Sequence, residues 1–307
     1  MSWFNWFRRK KDSNEPTAAN ESADDTTTGM IAGRVRTRGL PYLMPYDVEE
    51  LNRLDFQHYM LRATLHGNYA APIGEPSSIL DVGTGTGRWA REMAVAFPNA
   101  KVVGVDVNLP PADDTTLGKP DTLRPANYIF APGNILEGLS FPDASFDFVH
   151  QRALFAAIPH DRWPQVAREL VRLTRPGGWV ESLEVTELGG AGPATARLNV
   201  WVNAVMARRG VEAADGGRVA DYLRDAGLTK VNQRTLSMPC GDAGGHGGKM
   251  LAANWFSLLD GIGGLVVALG LATQERFAEA VAASRVELAN PHGVAALPIY
   301  IAYGQRA

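Results

Sequence analysis

Residues 78–90 read SILDVGTGTGRWA: a short apolar run, then Gly83, Gly85 and Gly87 at alternate positions, then residues compatible with a helix. Glycine has no Cβ, so it takes positive φ and lets a ligand approach the main chain closely. Such a turn between a first strand and a first helix holds either a dinucleotide pyrophosphate or a nucleoside cofactor without phosphate. The dinucleotide fingerprint G-x-G-x-x-G would put its third glycine at position 88, where Arg88 stands. Asp81 lies two positions ahead of the first glycine, where it can face a cationic ligand but would repel a pyrophosphate. Both features point away from a nicotinamide enzyme, which stays open as an alternative.

Working outward, the pattern alternates strands with helices. SSILDVG, AKVVGVDV, ANYIFAPGNI, SFDFVHQ and GGWVESLEV read as buried strands, and RWAREMAVAFP and WPQVARELVRLT as amphipathic helices ended by Pro98 and by RPGG. The chain continues with a helix over GGRVADYLRDAG, a strand over TKVNQRTLSMPC, two helical stretches from about Met250 to Asn290 and a last strand over ALPIYIAYGQ. This predicts an α/β fold with a doubly wound, mostly parallel, seven-stranded sheet, an N-terminal helical cap and helical insertions before the last strand. The cap is read over Val48–His66, where apolar residues recur near a helical period and Asp47 is placed to cap the start. GDAGGHGGKM reads as a glycine-rich loop, either a mobile lid or a solvated linker. There is no internal repeat.

Composition narrows the function classes. In 307 residues, 45% hydrophobic, 30 Lys and Arg face 33 Asp and Glu for a net charge of -3, so no basic excess marks a nucleic-acid partner. The single cysteine, Cys240, excludes an internal disulfide and a multi-thiolate metal site, fits a reducing, cytoplasmic compartment and reads as a small buried side chain. No metal site is expected. No run of the sequence reaches the roughly 20 apolar residues of a membrane span. Residues 1–11, MSWFNWFRRKK, set Trp3, Phe4, Trp6 and Phe7 ahead of four basic residues. They read either as a weak interfacial membrane anchor or as a free terminus. Residues 12–38 read as a disordered linker because their first part, to Thr28, carries almost nothing apolar. The folded domain is expected over residues 39–307.

LDVGTGTG resembles the first motif of the class I S-adenosylmethionine-dependent methyltransferases, and the resemblance runs from about Tyr46 to Gln305. It implies S-adenosyl-L-methionine as cofactor. It implies too that Gly83, Thr84, Gly85 and Gly87 form the turn under the methionine part, with Asp81 nearby. Asp106 and Val107 would close the second strand, the Asp106 carboxylate accepting from the ribose hydroxyls. In PGNIL, Asn134 stands where the family usually has an acidic residue for the adenine amine, and Ile135 would pack on the adenine face. RLDFQHYMLRATLHGNYAAPI, SFDFVHQRAL and DRWPQVARELVRLTRPGGWVE together look like the LaeA-type group, which implies secondary-metabolite or regulatory methylation.

In-line methyl transfer needs alignment and exclusion of water more than a covalent residue. For an O, N or C acceptor that needs a base, His150 is the expected catalytic residue, at the cofactor rim after the fourth strand; His160, Glu181 and Glu184 are weaker candidates. Arg152 would hold an anionic substrate or pair with a carboxylate. Tyr69 would lie against the sulfonium by cation-π attraction. Trp201, Trp255 and Phe256 would line a hydrophobic pocket for a small-molecule acceptor. The alternative to an enzyme is a cofactor-binding regulator without turnover.

Overall fold

The structure, a computed structural model, describes residues 28–31, 34–37, 42–108 and 125–307. The aromatic and basic segment 1–11 lies outside the described residues. So does the 12–38 linker, except where β1 (Thr28–Ile31) and β2 (Arg34–Thr37) pair antiparallel.

The main sheet comprises β3 (Ser78–Val82), β4 (Lys101–Asp106), β5 (Tyr128–Pro132), β6 (Phe146–Arg152), β7 (Thr174–Val185), β8 (Thr229–Pro239) and β9 (Ala296–Gln305). Their order is β5-β4-β3-β6-β7-β9-β8. The pairs from β5 to β7 are parallel, and β9 runs antiparallel to both its neighbours. All five residues of β3 are buried, as a central strand covered on both faces requires. From β3 the chain steps to β4 on one side and later to β6 on the other. The crevice at the carboxyl ends of these strands is where open α/β sheets bind their ligands.

Among the described residues seven α-helices surround the sheet: α1 (Val48–Leu65), α2 (Arg88–Ala96), α3 (Trp163–Leu173), α4 (Pro193–Ala207), α5 (Val219–Asp225), α6 (Gly245–Ala268) and α7 (Gln274–Leu288). The cap α1 starts where the sequence placed it. The Asp47 side chain accepts from the Glu50 N–H at 3.0 Å, and His66 ends the helix in a left-handed conformation. Trp89 and Met93 of α2 pack on Phe148, while Trp163, Leu170 and Leu173 of α3 form a second cluster with Phe146, Val149 and the buried residues of α5. The largest cluster joins α1 to α4, α6 and α7.

Two elements differ from the sequence reading. Helix α4 was not anticipated, because apolar residues occupy most of its circumference and leave little amphipathic contrast; Leu198, Trp201, Val202, Val205 and Met206 are all buried. The glycine-rich stretch is neither lid nor linker, since Gly245 to Met250 form the first turns of α6. Gly241, Gly244 and Gly248 are there for close approach. A Cβ on Gly244 would lie 2.7 Å from the Pro239 carbonyl, and one on Gly248 would strike the Gly241 carbonyl. By length and composition α6 passes for a membrane span, yet Leu251, Phe256, Leu259, Ile262 and Val266 bury one side of it in the core.

Gly248→Ala forces that turn of α6 off the end of β8. It should destabilise the protein by about 1–3 kcal/mol, read from the denaturant midpoint, with an unchanged midpoint counting against the close packing.

Candidate active site

Gly83 and Gly85 adopt positive φ (68° and 54°), and a Cβ on Gly83 would collide with the Leu154 side chain. Gly87, at φ 77°, starts α2, and a Cβ there would sit 2.6 Å from the Tyr128 hydroxyl. The turn is therefore a cradle that only glycine fits. At the end of β4, Asp106 Oδ2 accepts from the Gly85 N–H at 2.9 Å and Oδ1 from the Asn108 N–H at 3.0 Å. Burial pushes the Asp106 carboxyl above its ordinary value, against the pull of those N–H donors.

A cleft opens over this turn. Gly83, Gly85, Asp106, Val107, Asn134 and Ile135 line it from the sheet side, and Tyr42, Tyr46, Leu54 and Gln57 from the cap. The predicted nucleoside residues thus come together around one space. Asn134 is less free than expected, since its Oδ1 accepts from the Leu136 N–H at 3.1 Å and its amide donates to Glu137 at 2.9 Å. Tyr42 and Tyr46 were missed by sequence reasoning; they precede α1 in an irregular stretch that carries no periodicity to read.

A smaller pocket adjoins the glycine turn, lined by Gly83, Thr84, Gly85, His58, Asp81 and Arg152 among others. Asp81 is more committed than expected. Its Oδ2 accepts from Thr84 Oγ1 at 2.7 Å, and its Oδ1 lies 2.9 Å from His150 Nδ1. A third cavity, lined by Val202, Met206, Leu251, Trp255, Leu258 and Ile262, shares Tyr42, Met44, Leu54, Gln57 and Ala153 with the cleft.

Three expectations need correction. His150 does not reach the cofactor rim: it is 1% exposed, one pleat deep in β6, and its ring stacks on Trp89 at 3.7 Å. It cannot touch an acceptor, and together with Asp81 it braces the turn. Tyr69 lines none of these three spaces and packs instead against Phe97 and Phe148. Of the expected pocket aromatics, only Trp255 lines the third cavity; Trp201 and Phe256 belong to the core. The weaker base candidates also have other work. Glu181 accepts from the Ala70 and Ala71 N–H groups, and His160 pairs with the buried Asp215 at 3.0 Å. Cys240 is buried as expected, and burial pushes its thiol up to about 12.

Glu184 receives the N–H groups of Leu154 and Phe155 at 3.2 and 2.9 Å and so fixes the loop after β6 that walls the cleft. Burial raises its pKa to about 8.

The site can be tested for fit to a sulfonium nucleoside. A glycine cradle, a carboxylate at the end of β4 and apolar walls suit ribose and adenine, and among the described residues that line the cleft Arg152 is the one cation. Relatives agree. A family model described as a methyltransferase domain matches residues 79–178. The methyltransferase str3 of Strobilurus tenacellus is 37% identical over 142 residues, which is 46% of this chain and 47% of that one. The N-methyltransferase sirN of Leptosphaeria maculans is 30% identical over 226 residues, 69% of this chain and 76% of its own. The secondary metabolism regulator laeA of Fusarium oxysporum f. sp. lycopersici is 35% identical over 155 residues, 47% of this chain and 44% of that one. This chain belongs to the S-adenosylmethionine-dependent methyltransferase family, with S-adenosylmethionine as its cofactor. Within it, the matches lie among fungal methyltransferases and the LaeA-type proteins.

Because the folded pKa of Glu184 lies above its unfolded one, the stability it contributes is full at acid pH and is lost as pH rises through about 8. Glu184→Gln should flatten the fall in thermal midpoint between about pH 5 and pH 9, whatever its baseline cost. An undiminished fall would mean that Glu184 is already ionised in the native protein.

Proposed function

We propose that the protein transfers the methyl group of S-adenosylmethionine to a nitrogen of a small, largely apolar molecule of secondary metabolism. The observation that carries this reading is the third cavity. It is walled by apolar side chains from α4 and α6 and meets the cofactor cleft along Tyr42, Met44, Leu54, Gln57 and Ala153.

Bound there, S-adenosylmethionine supplies a methyl group already activated for displacement. The residues of the chain then hold and orient. Asp106 would take the ribose hydroxyls, the glycine turn lets the nucleoside approach the backbone, and α1 with Tyr42 and Met44 excludes water from above. Among the described residues that line the third cavity there is no histidine, and the ionisable ones are engaged elsewhere. Tyr42 donates its hydroxyl to Glu50 at 2.7 Å, and burial and the Glu50 charge push its pKa well up. Arg53 is held bidentate by Glu50 at 2.7 Å through both contacts. Glu187 is exposed and accepts from Asn203. An acceptor that needs no base, such as an uncharged amine, suits this wall better than a phenol or alcohol.

The test is formation of S-adenosylhomocysteine with matched panels of apolar amines and phenols. The reading expects turnover with amines and little with phenols. Leu258→Trp, which fills the cavity, should raise KM for the amine about tenfold or more while leaving cofactor affinity unchanged. Product formation with phenols alone would contradict the nitrogen assignment. Cofactor binding without any product would favour a regulator, the role that the name of the laeA relative gives it.

A further inference from the structure

The smaller pocket beside the glycine turn contains a cation with only part of its hydrogen-bonding capacity used. Arg152 ends β6 and lines both this pocket and the main cleft, but not the apolar third cavity. Among the described residues its one side-chain hydrogen bond runs from Nη2 to His58 Nδ1 at 3.0 Å. A guanidinium offers five N–H donors and cannot accept, so His58 must present a bare Nδ1 and carry its proton on Nε2. That nitrogen lies 3.2 Å from Glu92 Oε1, within ion-pair range but out of line for a hydrogen bond. Glu92 is in turn fixed by Arg62 at 3.1 Å and Asn68 at 3.0 Å.

The elements involved are far apart in sequence: Arg152 on β6, His58 on the cap α1 and Glu92 on α2. His58 is 2% exposed, so this is a built contact rather than a surface encounter. Other charges around it are accounted for. Asp55 lies close enough to act on His58 and is paired with Arg88 at 2.8 Å, while Asp81 acts on Arg152 and is engaged by Thr84 and His150. The Arg152 N–H groups not given to His58 therefore have an anion as their natural complement, in a pocket that adjoins the glycine turn.

We propose that His58, buried beside Glu92, positions Arg152 to bind the carboxylate at the amino-acid end of the cofactor. The inference rests on the reading that the cleft holds S-adenosylmethionine. The anion is the cofactor's and not the acceptor's, because Arg152 is absent from the walls of the acceptor cavity. Arg152 is the binding residue, and His58 acts through it. Burial and the neighbouring guanidinium keep His58 neutral to a lower pH than an ordinary histidine. When it does protonate, Nδ1 gains a hydrogen that faces Arg152, and the contact is lost.

Equilibrium binding of S-adenosylmethionine and of decarboxylated S-adenosylmethionine, which keeps the sulfonium and amine but lacks the carboxylate, separates the roles. Arg152→Gln should weaken the first about 10- to 100-fold and the second hardly at all. His58→Phe should do the same to a lesser degree. His58→Asn, whose amide oxygen can stand in for Nδ1, should restore affinity and abolish the loss that the wild type shows for the carboxylate-bearing ligand at acid pH. Equal weakening of both ligands in Arg152→Gln, or a wild-type affinity ratio in it, would overturn the proposal. So would an acid-induced loss in His58→Asn as large as in the wild type. If neither ligand bound the wild type, the cofactor reading itself would fall and the positioning role with it.

Discussion

The carboxyl ends of β3 and β4 are tied together by the turn that separates β3 from α2, and the rest of the site depends on that tie. The Thr84 N–H donates to the Val105 carbonyl at 2.9 Å, the Gly85 N–H to Asp106 at 2.9 Å, and the Thr84 hydroxyl to Asp81 at 2.7 Å. These bonds require positive φ at Gly83 and Gly85, and they require Gly104 opposite, where a Cβ would lie 2.7 Å from Thr84 Oγ1. Once the turn is closed, α2 starts at Arg88 and Trp89 covers His150. Asp106 is then held toward the cleft instead of out into solvent.

The buried charges of the protein follow from this frame. Asp81, His150 and Glu181 are register partners across β3, β6 and β7, a polar row through an otherwise apolar sheet. Each member has a structural duty: Asp81 to the glycine turn, His150 to Asp81, and Glu181 to the backbone that brings the chain from α1 into β3. Glu50 and Arg53 do the same for the cap, with Asn254 joining α1 to α6 at 3.2 Å. Removing one partner from such a pair leaves an uncompensated charge, so these groups specify where the cap sits more than they add stability.

Much of this was readable from sequence, and the failures are instructive. The seven strands, the Asp47 cap and the glycine turn carry local signals: alternation, a side-chain oxygen at a helix start, and glycines where no Cβ fits. Asp106, Val107 and Ile135 came from the family resemblance, and all three line the cleft because β4 and β5 end at the same edge of the sheet. His150 misled because sequence shows that it belongs to the fourth strand but not how deep it lies; Arg152, two residues on, is the one that reaches the cleft. Tyr69 misled because nearness in sequence to the turn says nothing of which side of β6 the connection crosses. Helix α4 and the cap tyrosines lacked a readable pattern, one for being apolar nearly all round and the others for lying in irregular chain.

The central claim is that the cleft between the glycine turn and the cap holds a sulfonium nucleoside. A crystal structure of the protein grown with S-adenosylhomocysteine tests it most directly. The account predicts the nucleoside in that cleft, its ribose hydroxyls on Asp106 and its base beside Ile135, with the third cavity left open to an acceptor. Density for the nucleoside in the third cavity, or a complex in which Asp106 makes no contact with it, would contradict the account.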